Sequence, residues 1–420
     1  MSVRWITAQR TRLIHPTKTQ TLRVYIEIIM ANADVLIIGA GAAGLMCAIE
    51  AGKRHRKVIV LDHANKPGKK ILMSGGGRCN FTNYHINPDK YISHNRHFCK
   101  SALSRYTQWD FIDLVQQHKI PFHEKTLGQL FCDNKSKEIL EMLLLECQRV
   151  GVDVRLNTSV EALERLGDQN FKLKTSSGNI HCESLVIACG GLSIPTMGAT
   201  PFGYKVAEQF GLNVWPTRAG LVPLTLHTMD KEKLSALSGI AVDCFVTSQR
   251  QSFRENILFT HRGLSGPAIL QISSYWNAGE VIEINLLPDI DIVDLIQTHK
   301  QSSKQLNTFL TDYLPKRVID VFLDVSIASK KLADLSKQEM AQVGTQLNKW
   351  KLKPNGTEGY RTAEVTLGGV DCDAISSKTM EANNVPGLYF IGETLDVSGW
   401  LGGYNFQWAW SSGWAAGQVV

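Results

Sequence analysis

An α/β fold built around a parallel sheet is predicted by three features near the start of the chain. An apolar run, Asp34-Val-Leu-Ile-Ile38, has the uniformly buried character of a parallel strand. It leads at once into Gly39-Ala-Gly41-Ala42-Ala43-Gly44 and a helical stretch of small and apolar residues (Leu45, Met46, Ala48, Ile49). A second apolar run, Val58-Ile-Val-Leu-Asp62, then ends on an acid. Strand, glycine turn, helix, strand and terminal acid follow in order within about 30 residues, which is far more specific than an isolated G-x-G-x-x-G.

Each position has a physical reason. Gly39 permits the tight turn, Gly41 lets backbone approach a pyrophosphate, and Gly44 lets helix and strand pack closely. Ala42 and Ala43 open the helix, whose free N–H groups and positive dipole end face the phosphates. Asp62 is placed to accept hydrogen bonds from an adenosine ribose, which favours FAD or NAD over NADP. A second fingerprint and a C-x-x-C pair are both missing, which argues against a two-Rossmann disulfide reductase. One tightly held dinucleotide and a large remainder point to FAD in a Rossmann-like domain.

The 420 residues are 44% apolar and 20% charged, an ordinary globular balance that allows two or three domains. Nine cysteines are scattered from Cys47 to Cys372. That pattern fits neither a disulfide scaffold, a zinc ribbon nor a thioredoxin-type pair, so we expect reduced thiols, no metal and a cytoplasmic location. No apolar run is long enough to span a membrane; the uncharged tail Val397–Val420 is interrupted by glycines, serines, Asn405 and Gln407. Residues 1–29 carry five basic residues against Glu27. They lack a secretory pattern, and although an Arg-rich leader is compatible with a transit peptide, they read as an extension ahead of Met30, peripheral to the chemistry.

Two further glycine-rich stations follow. Lys66-Pro-Gly-Lys69-Lys70-Ile-Leu-Met-Ser74-Gly75-Gly76-Gly77-Arg78-Cys79-Asn80-Phe-Thr-Asn83 can wrap closely round a flat or phosphorylated ligand. Gly387-Leu-Tyr-Phe-Ile-Gly392-Glu393-Thr-Leu-Asp396, with Gly399 and Gly402-Gly403-Tyr404-Asn405, is a strand ending in Gly-acid and then a turn opening a last helix. The strand end suits the ribityl and phosphate portion of FAD, and the helix start would aim its positive end at the flavin. Trp400, Trp408, Trp410 and Trp414 in this tail read as core packing.

On these stations the chain resembles the BaiN/RdsA-type NAD(P)/FAD-dependent oxidoreductases from about Ala33 to the C-terminus. Further marks are Gly128-Gln-Leu-Phe131, Lys135-Ser-Lys137, Ala188-Cys-Gly-Gly191-Leu-Ser-Ile-Pro195, Phe259-Thr-His261-Arg-Gly-Leu-Ser-Gly-Pro267, Val365-Thr-Leu-Gly-Gly-Val370 and Met380-Glu. Cys132 and Cys189 depart from the usual Pro and Thr, at tolerant packing positions. The resemblance implies an FAD domain split by an insertion: a first part over 30–196, an inserted cap over 197–350 and a second part over 351–420. Alternating segments such as Gly239–Thr247 and Glu280–Asn285 give the cap a β-barrel-like part at about 220–288. A charged helical part follows at about 289–350, broken at Pro315. The implied FAD residues are Gly39, Gly41, Ala42, Ala43, Gly44, Asp62, Lys69, Lys70, Ser74, Gly76, Gly77, Arg78, Cys79, Asn80, Val160, Gly190, Gly392, Glu393, Asp396, Gly402, Gly403, Tyr404 and Asn405.

The implied chemistry is reduction of a carbonyl-activated C=C bond, in a steroid-type enone or in uracil of ribosomal RNA, with NAD(P)H as transient electron donor. A proton donor is then needed, for which Cys79 and His261 are the candidates, with Arg78 and Arg262 to hold a carbonyl or phosphate. Charge bears on the substrate. The formal net charge is +6, yet Lys53–Arg105 alone holds twelve basic residues against Asp62 and Asp89. Such a region is a plausible phosphate footprint, compatible with single-stranded or partly unfolded RNA. Three functions follow: uridine reduction in large-subunit ribosomal RNA, an ene-reductase or oxidase for a small apolar substrate, and a non-catalytic flavin-containing RNA-binding module.

Overall fold

The structure is a computed structural model that describes residues 30–167 and 170–420, so the expectation for residues 1–29 lies outside the described residues. Strand β1 (Met30–Ile38), helix α1 (Ala42–Lys53) and strand β2 (Val58–Leu61) form in the expected order, and β1 and β2 pair in parallel with Leu36 opposite Ile59. Helix α2 (Lys69–Gly77), β3 (Asp153–Arg155), β4 (Val160–Leu166), β5 (Asn170–Thr175) and β6 (Gly178–Ile187) follow. Strand β7 (Leu388–Phe390) and helix α3 (Tyr404–Gly417) complete the domain from the far end of the sequence.

The seven strands run β3-β2-β1-β6-β5-β4, with β7 also on β6. Strand β6 changes neighbour along its length: Gly178–Cys182 pairs antiparallel with β5, and Leu185–Ile187 pairs in parallel with β7. Val35, Leu36, Val60, Leu185 and Val186 are fully buried, as strands covered on both faces require. Helix α3 lies against α1, and small residues permit the approach: a Cβ on Gly413 would stand 2.4 Å from the Ala43 carbonyl oxygen. Trp408 and Trp410 pack in this core, their indole N–H groups donating to Gly392 O and Phe81 O at 2.9 Å.

A second core gathers apolar residues from Leu224 to Leu352. Its antiparallel sheet runs Trp350–Leu352, Ile282–Asn285, Ala241–Thr247, Ser252–Phe259, Gly263–Ser265, Leu224–Thr225, Gly356–Thr357. The two edge strands are joined only by residues 353–355, a link that reaches at most about 14 Å. The sheet must therefore curl until its edges approach. Helices from Ile292–Thr298 to Lys337–Leu347 cover it; the last opens on a capping box between Ser336 and Glu339, and Pro315 caps the helix Lys316–Phe322.

The packing moves the expected cap boundaries. Helix Phe202–Gln209 buries Tyr204, Val206 and Ala207 in the first core, so the cap's own core begins beyond Gly220 and not at 197. Its sheet still includes Gly356–Thr357, so the return lies beyond 351. Both passages form one antiparallel ribbon, Val214–Gly220 with Val365–Val370, in which Gly220 lies opposite Val365. The cap also touches the tail loop: Trp400 Nε1 donates to Tyr275 Oη at 2.6 Å and Leu401 N to Gln271 Oε1 at 3.0 Å.

Candidate cofactor and substrate cavity

A cavity of about 1140 Å³ opens where the three glycine stations meet the ribbon. It exceeds the roughly 300–1,000 Å³ of an ordinary small-molecule site, leaving room for a dinucleotide and a ring beside it. At the first station Gly39 has φ +116°, and a Cβ there would stand 2.4 Å from Ala188 O. A Cβ on Gly44 would stand 2.0 Å from Gly39 O, so Gly44 serves helix–strand packing and is not on the cavity wall. A Cβ on Gly41 would meet nothing within 4 Å, and Gly41, Ala42 and Ala43 line the cavity at the start of α1. Asp62 is anchored by backbone donors, Ala40 N at 2.9 Å and Ala64 N at 2.8 Å, and shares its part of the wall with Val160. This open glycine, helix N-terminus and anchored acid fit the pyrophosphate and ribose of FAD.

At the second station α2 is not a continuous helix. Ser74 is extended, and Gly75 and Gly76 adopt φ of +57° and +65°, which glycine tolerates without strain. The loop this creates puts Lys69, Lys70, Ser74, Gly76 and Asn80 on the wall. Glu393, after Gly392, closes the opposite side. Its Oε2 accepts from Lys70 Nζ at 2.7 Å, and its Oε1 accepts from Thr366 N at 2.8 Å and Ser193 Oγ at 3.3 Å. Gly190, Gly392, Gly402, Gly403 and Asn405 complete the expected lining. The Asn405 side chain pins the turn ahead of α3 by accepting from Gly399 N and donating to Gly399 O.

Other expected residues lie off the wall. Asp396 is buried; its Oδ2 accepts from His94 N at 2.8 Å and lies 2.8 Å from His94 Nδ1, which ties it to a neighbouring loop. Tyr404 is buried and its hydroxyl accepts from Lys90 Nζ at 2.9 Å. Gly77 and Arg78 follow the loop, with Arg78 pointing to solvent. Cys79 is 0% exposed, and burial pushes its thiol up to about 12. His261 is exposed on the turn between Ser252–Phe259 and Gly263–Ser265, outside the cavity, and Arg262 pairs with Glu358 at 3.6 Å. We therefore expect Cys79→Ala and His261→Ala each to keep single-turnover substrate reduction within about threefold, since neither side chain reaches the wall; a hundredfold loss in either, about 2.7 kcal/mol, would return it to the chemistry.

The sequence reading missed several wall residues: Lys125, Gln129, Phe131, Ser159, Lys205, Thr362 and Glu364. Gln129 and Phe131 lie in the Gly128–Phe131 segment marked by the resemblance, and Glu364 immediately precedes Val365. Glu364 lies on the wall with its side chain exposed to the open cavity, and the protein packed around it raises its carboxyl above the ordinary range. The basic run also divides. Lys66, Lys69 and Lys70 line the cavity, whereas Lys53 pairs with Glu50, Arg54 with Val420 O and Arg56 with Glu183. That second group sits at the far end of α1, about 18 Å from its N-terminus at 1.5 Å per residue.

Residues 33–419 match the HI0933-like protein Rossmann domain. The chain belongs to the HI0933-like family. This is a Rossmann FAD-binding family of oxidoreductases, in agreement with the expected fold and enzyme class. The chain is 55% identical to the ribosomal RNA dihydrouridine synthase of Escherichia coli, over 93% of this chain and 98% of that protein. It is 52% identical to the protein of the same name from Haemophilus influenzae, over 91% and 97%. The 3-dehydro-bile acid delta(4,6)-reductase of Clostridium scindens is 28% identical, over 91% and 98%. Among the described residues no helix is long and apolar enough to cross a membrane, and no group of three or more His, Cys, Asp or Glu could hold a metal.

Proposed function

We propose that the protein reduces uridine in large-subunit ribosomal RNA to dihydrouridine, using FAD and drawing electrons from a nicotinamide nucleotide. The observation that carries this reading is the near full-length likeness to two ribosomal RNA dihydrouridine synthases, at almost twice the identity to the bile acid reductase. The wall supports it: five lysines (Lys66, Lys69, Lys70, Lys125 and Lys205) line the cavity, which suits a polyanion better than a steroid. Bound FAD supplies the hydride chemistry. The chain's own residues cradle the pyrophosphate at Gly41, hold the ribose at Asp62 and join two walls through Lys70 and Glu393.

A base stacked in a duplex cannot reach such a cavity, so the uridine must be presented unpaired or flipped out. Tyr84 N donates to Gly128 O in the turn between the wall residues Lys125 and Gln129. Trp109, 56% exposed, stacks on Tyr84 with ring centroids 5.5 Å apart. An aromatic step of this kind suits a neighbouring base. The ribosomal substrate puts the enzyme in the cytoplasm.

Mass mapping of ribosomal RNA from a deletion strain tests the reading. We expect one dihydrouridine to be lost and to return with the intact gene. Unchanged dihydrouridine content overturns the proposal, and a flavin that dithionite reduces but no RNA reoxidises turns it towards a binding role. Anaerobic titration with NADH and NADPH identifies the electron source; reduction by neither overturns that part.

A further inference from the structure

The cavity wall continues outward along a small sheet. Strand Asn80–Asn83 pairs antiparallel with Gln129–Cys132, Asn83 lying opposite Gln129. Side chains alternate on the second strand: Gln129 and Phe131 line the cavity, while Leu130 and Cys132 are fully buried. The turn that enters it, from Lys125 to Gly128, is tied down by several bonds. Lys125 N donates to Gln129 O and Gln129 N to Thr126 O, both at 3.0 Å. Gly128 N donates to Glu124 Oε1 at 3.0 Å, and Asn83 Nδ2 donates to Leu127 O at 3.1 Å. Leu127 is held there at φ +52°, a left-handed conformation that costs any residue with a Cβ, and it is 62% exposed.

Tyr84, next after Asn83, bonds this turn through Gly128 O and stacks on Trp109. Trp109 stands in the first turn of the helix Gln108–Gln117, and the preceding Gln108 Nε2 donates to Tyr84 O at 3.0 Å. The indole is thus fixed from the helix and from the strand end, yet most of it meets solvent. Large apolar side chains held rigidly in the open mark a contact surface.

Charge selects the occupant. Lys125 Nζ stands 5.4 Å from the ring centroid of the wall residue Phe131, and Lys125 makes no ion pair among the described residues. The carboxylates nearest in sequence have partners of their own: Gly128 N for Glu124, Thr107 N and Oγ1 for Asp110, and Gln117 for Asp113. An aromatic face joined to an unpaired ammonium suits a base and its phosphate better than an apolar protein segment.

We propose that Trp109 stacks the base next to the target uridine and Lys125 takes the intervening phosphate, so that these side chains select an RNA chain over a free uridine nucleotide. The inference rests on the uridine reading and goes further, assigning the choice of a polynucleotide to residues outside the flavin cradle. Every base has a π-face, so the platform holds the neighbour without reading sequence. Its role is mechanical: a base captured on Trp109 offsets the stacking that the uridine loses when it leaves its neighbours.

The test uses oxidised holoenzyme without reductant and measures affinity alone. A single-stranded RNA oligonucleotide with one uridine is compared with versions in which one flanking nucleotide at a time lacks its base. The ratio of intact to abasic affinity cancels the phosphate contribution. For the wild type we expect base removal at one adjacent position to cost about fivefold or more. Trp109→Ala should bind the intact strand and that abasic strand equally, and Trp109→Phe, which keeps a ring, should restore most of the difference. Lys125→Ala should keep the ratio and lower the slope of log affinity against log salt by about 0.7. Flavin absorbance checks that each variant holds FAD.

A wild type indifferent to base removal at every flanking position, a Trp109→Ala enzyme that keeps the wild-type ratio, or an unchanged salt slope for Lys125→Ala overturns the inference. So does a Trp109→Ala enzyme that binds RNA as the wild type does but leaves ribosomal RNA unmodified in cells, which would make this face a site for a protein partner. If the wild type restores no dihydrouridine to the deletion strain, the uridine reading falls. The abasic ratios are measured without turnover and still decide the platform.

Discussion

Gly41→Val is expected to give a folded protein that does not retain FAD. The position has φ −90°, which any residue adopts, and a Cβ there meets no protein atom within 4 Å. The branched side chain would therefore enter the cavity at the start of α1, where a pyrophosphate needs close backbone approach. Losing two charge-assisted hydrogen bonds, at about 1.5–3 kcal/mol each, weakens binding by at least about 100-fold. Visible flavin absorbance after gel filtration reads the loss, and circular dichroism checks the fold. Gly44→Ala should behave differently, because its methyl would stand 2.0 Å from a carbonyl oxygen inside the protein. Overpacking of about 1–3 kcal/mol or more then lowers thermal stability whether or not flavin is present. A Gly41→Val protein that purifies fully loaded would remove the pyrophosphate from this turn.

Glu393→Ala is the second large effect. It removes the acceptors of Lys70 Nζ, Thr366 N and Ser193 Oγ together, and so disconnects α2, the Gly190–Ser193 segment and the ribbon. Glu393 is mostly buried and its ammonium partner only partly exposed, so the loss exceeds that of a surface pair. We expect about 3 kcal/mol of destabilisation, the sum of one charged and one or two neutral hydrogen bonds with a small discount for solvent at Lys70. Denaturant unfolding measures it. A cycle with Lys70→Met should show coupling of about 1 kcal/mol or more; strict additivity would mean that the two side chains act independently.

These two sites differ in how openly the sequence displayed them. Gly39, Gly41 and Gly44 act through local backbone, so spacing alone singles them out: Gly39 and Gly44 lie against backbone oxygens and Gly41 lies in the open. Lys70 and Glu393 are separated by 323 residues, and no local pattern announces that they pair. Glu364 is missed for a related reason: its place on the wall is set by Leu221 and Ser193, distant in sequence, which hold its backbone. The basic run was misleading in the opposite way. Residues adjacent in sequence read as one surface, but α1 carries Lys53–Arg56 away from the cavity while Lys66–Lys70 returns to it. Asp396 and Tyr404 lie in a glycine-rich station yet are buried in the protein, Asp396 bonded to His94 and Tyr404 to Lys90.

The ribbon of Val214–Gly220 and Val365–Val370 places the two ends of the cap side by side. An insertion with adjacent ends behaves as a cassette: it can lengthen, shorten or be exchanged without moving the flanking strands. The dinucleotide half meets the half above it at this ribbon and at the tail loop, where Trp400 donates to Tyr275 and Leu401 to Gln271. Yet Thr362 and Glu364 stand on the strip where the two halves are sewn together, and they stay with the flavin side if the cassette is cut at its sheet. Transplanting a relative's cap onto this chain would consequently alter what reaches the cavity while leaving the wall residues Thr362 and Glu364 in place. What reaches the cavity and what lines it are separately heritable in this architecture.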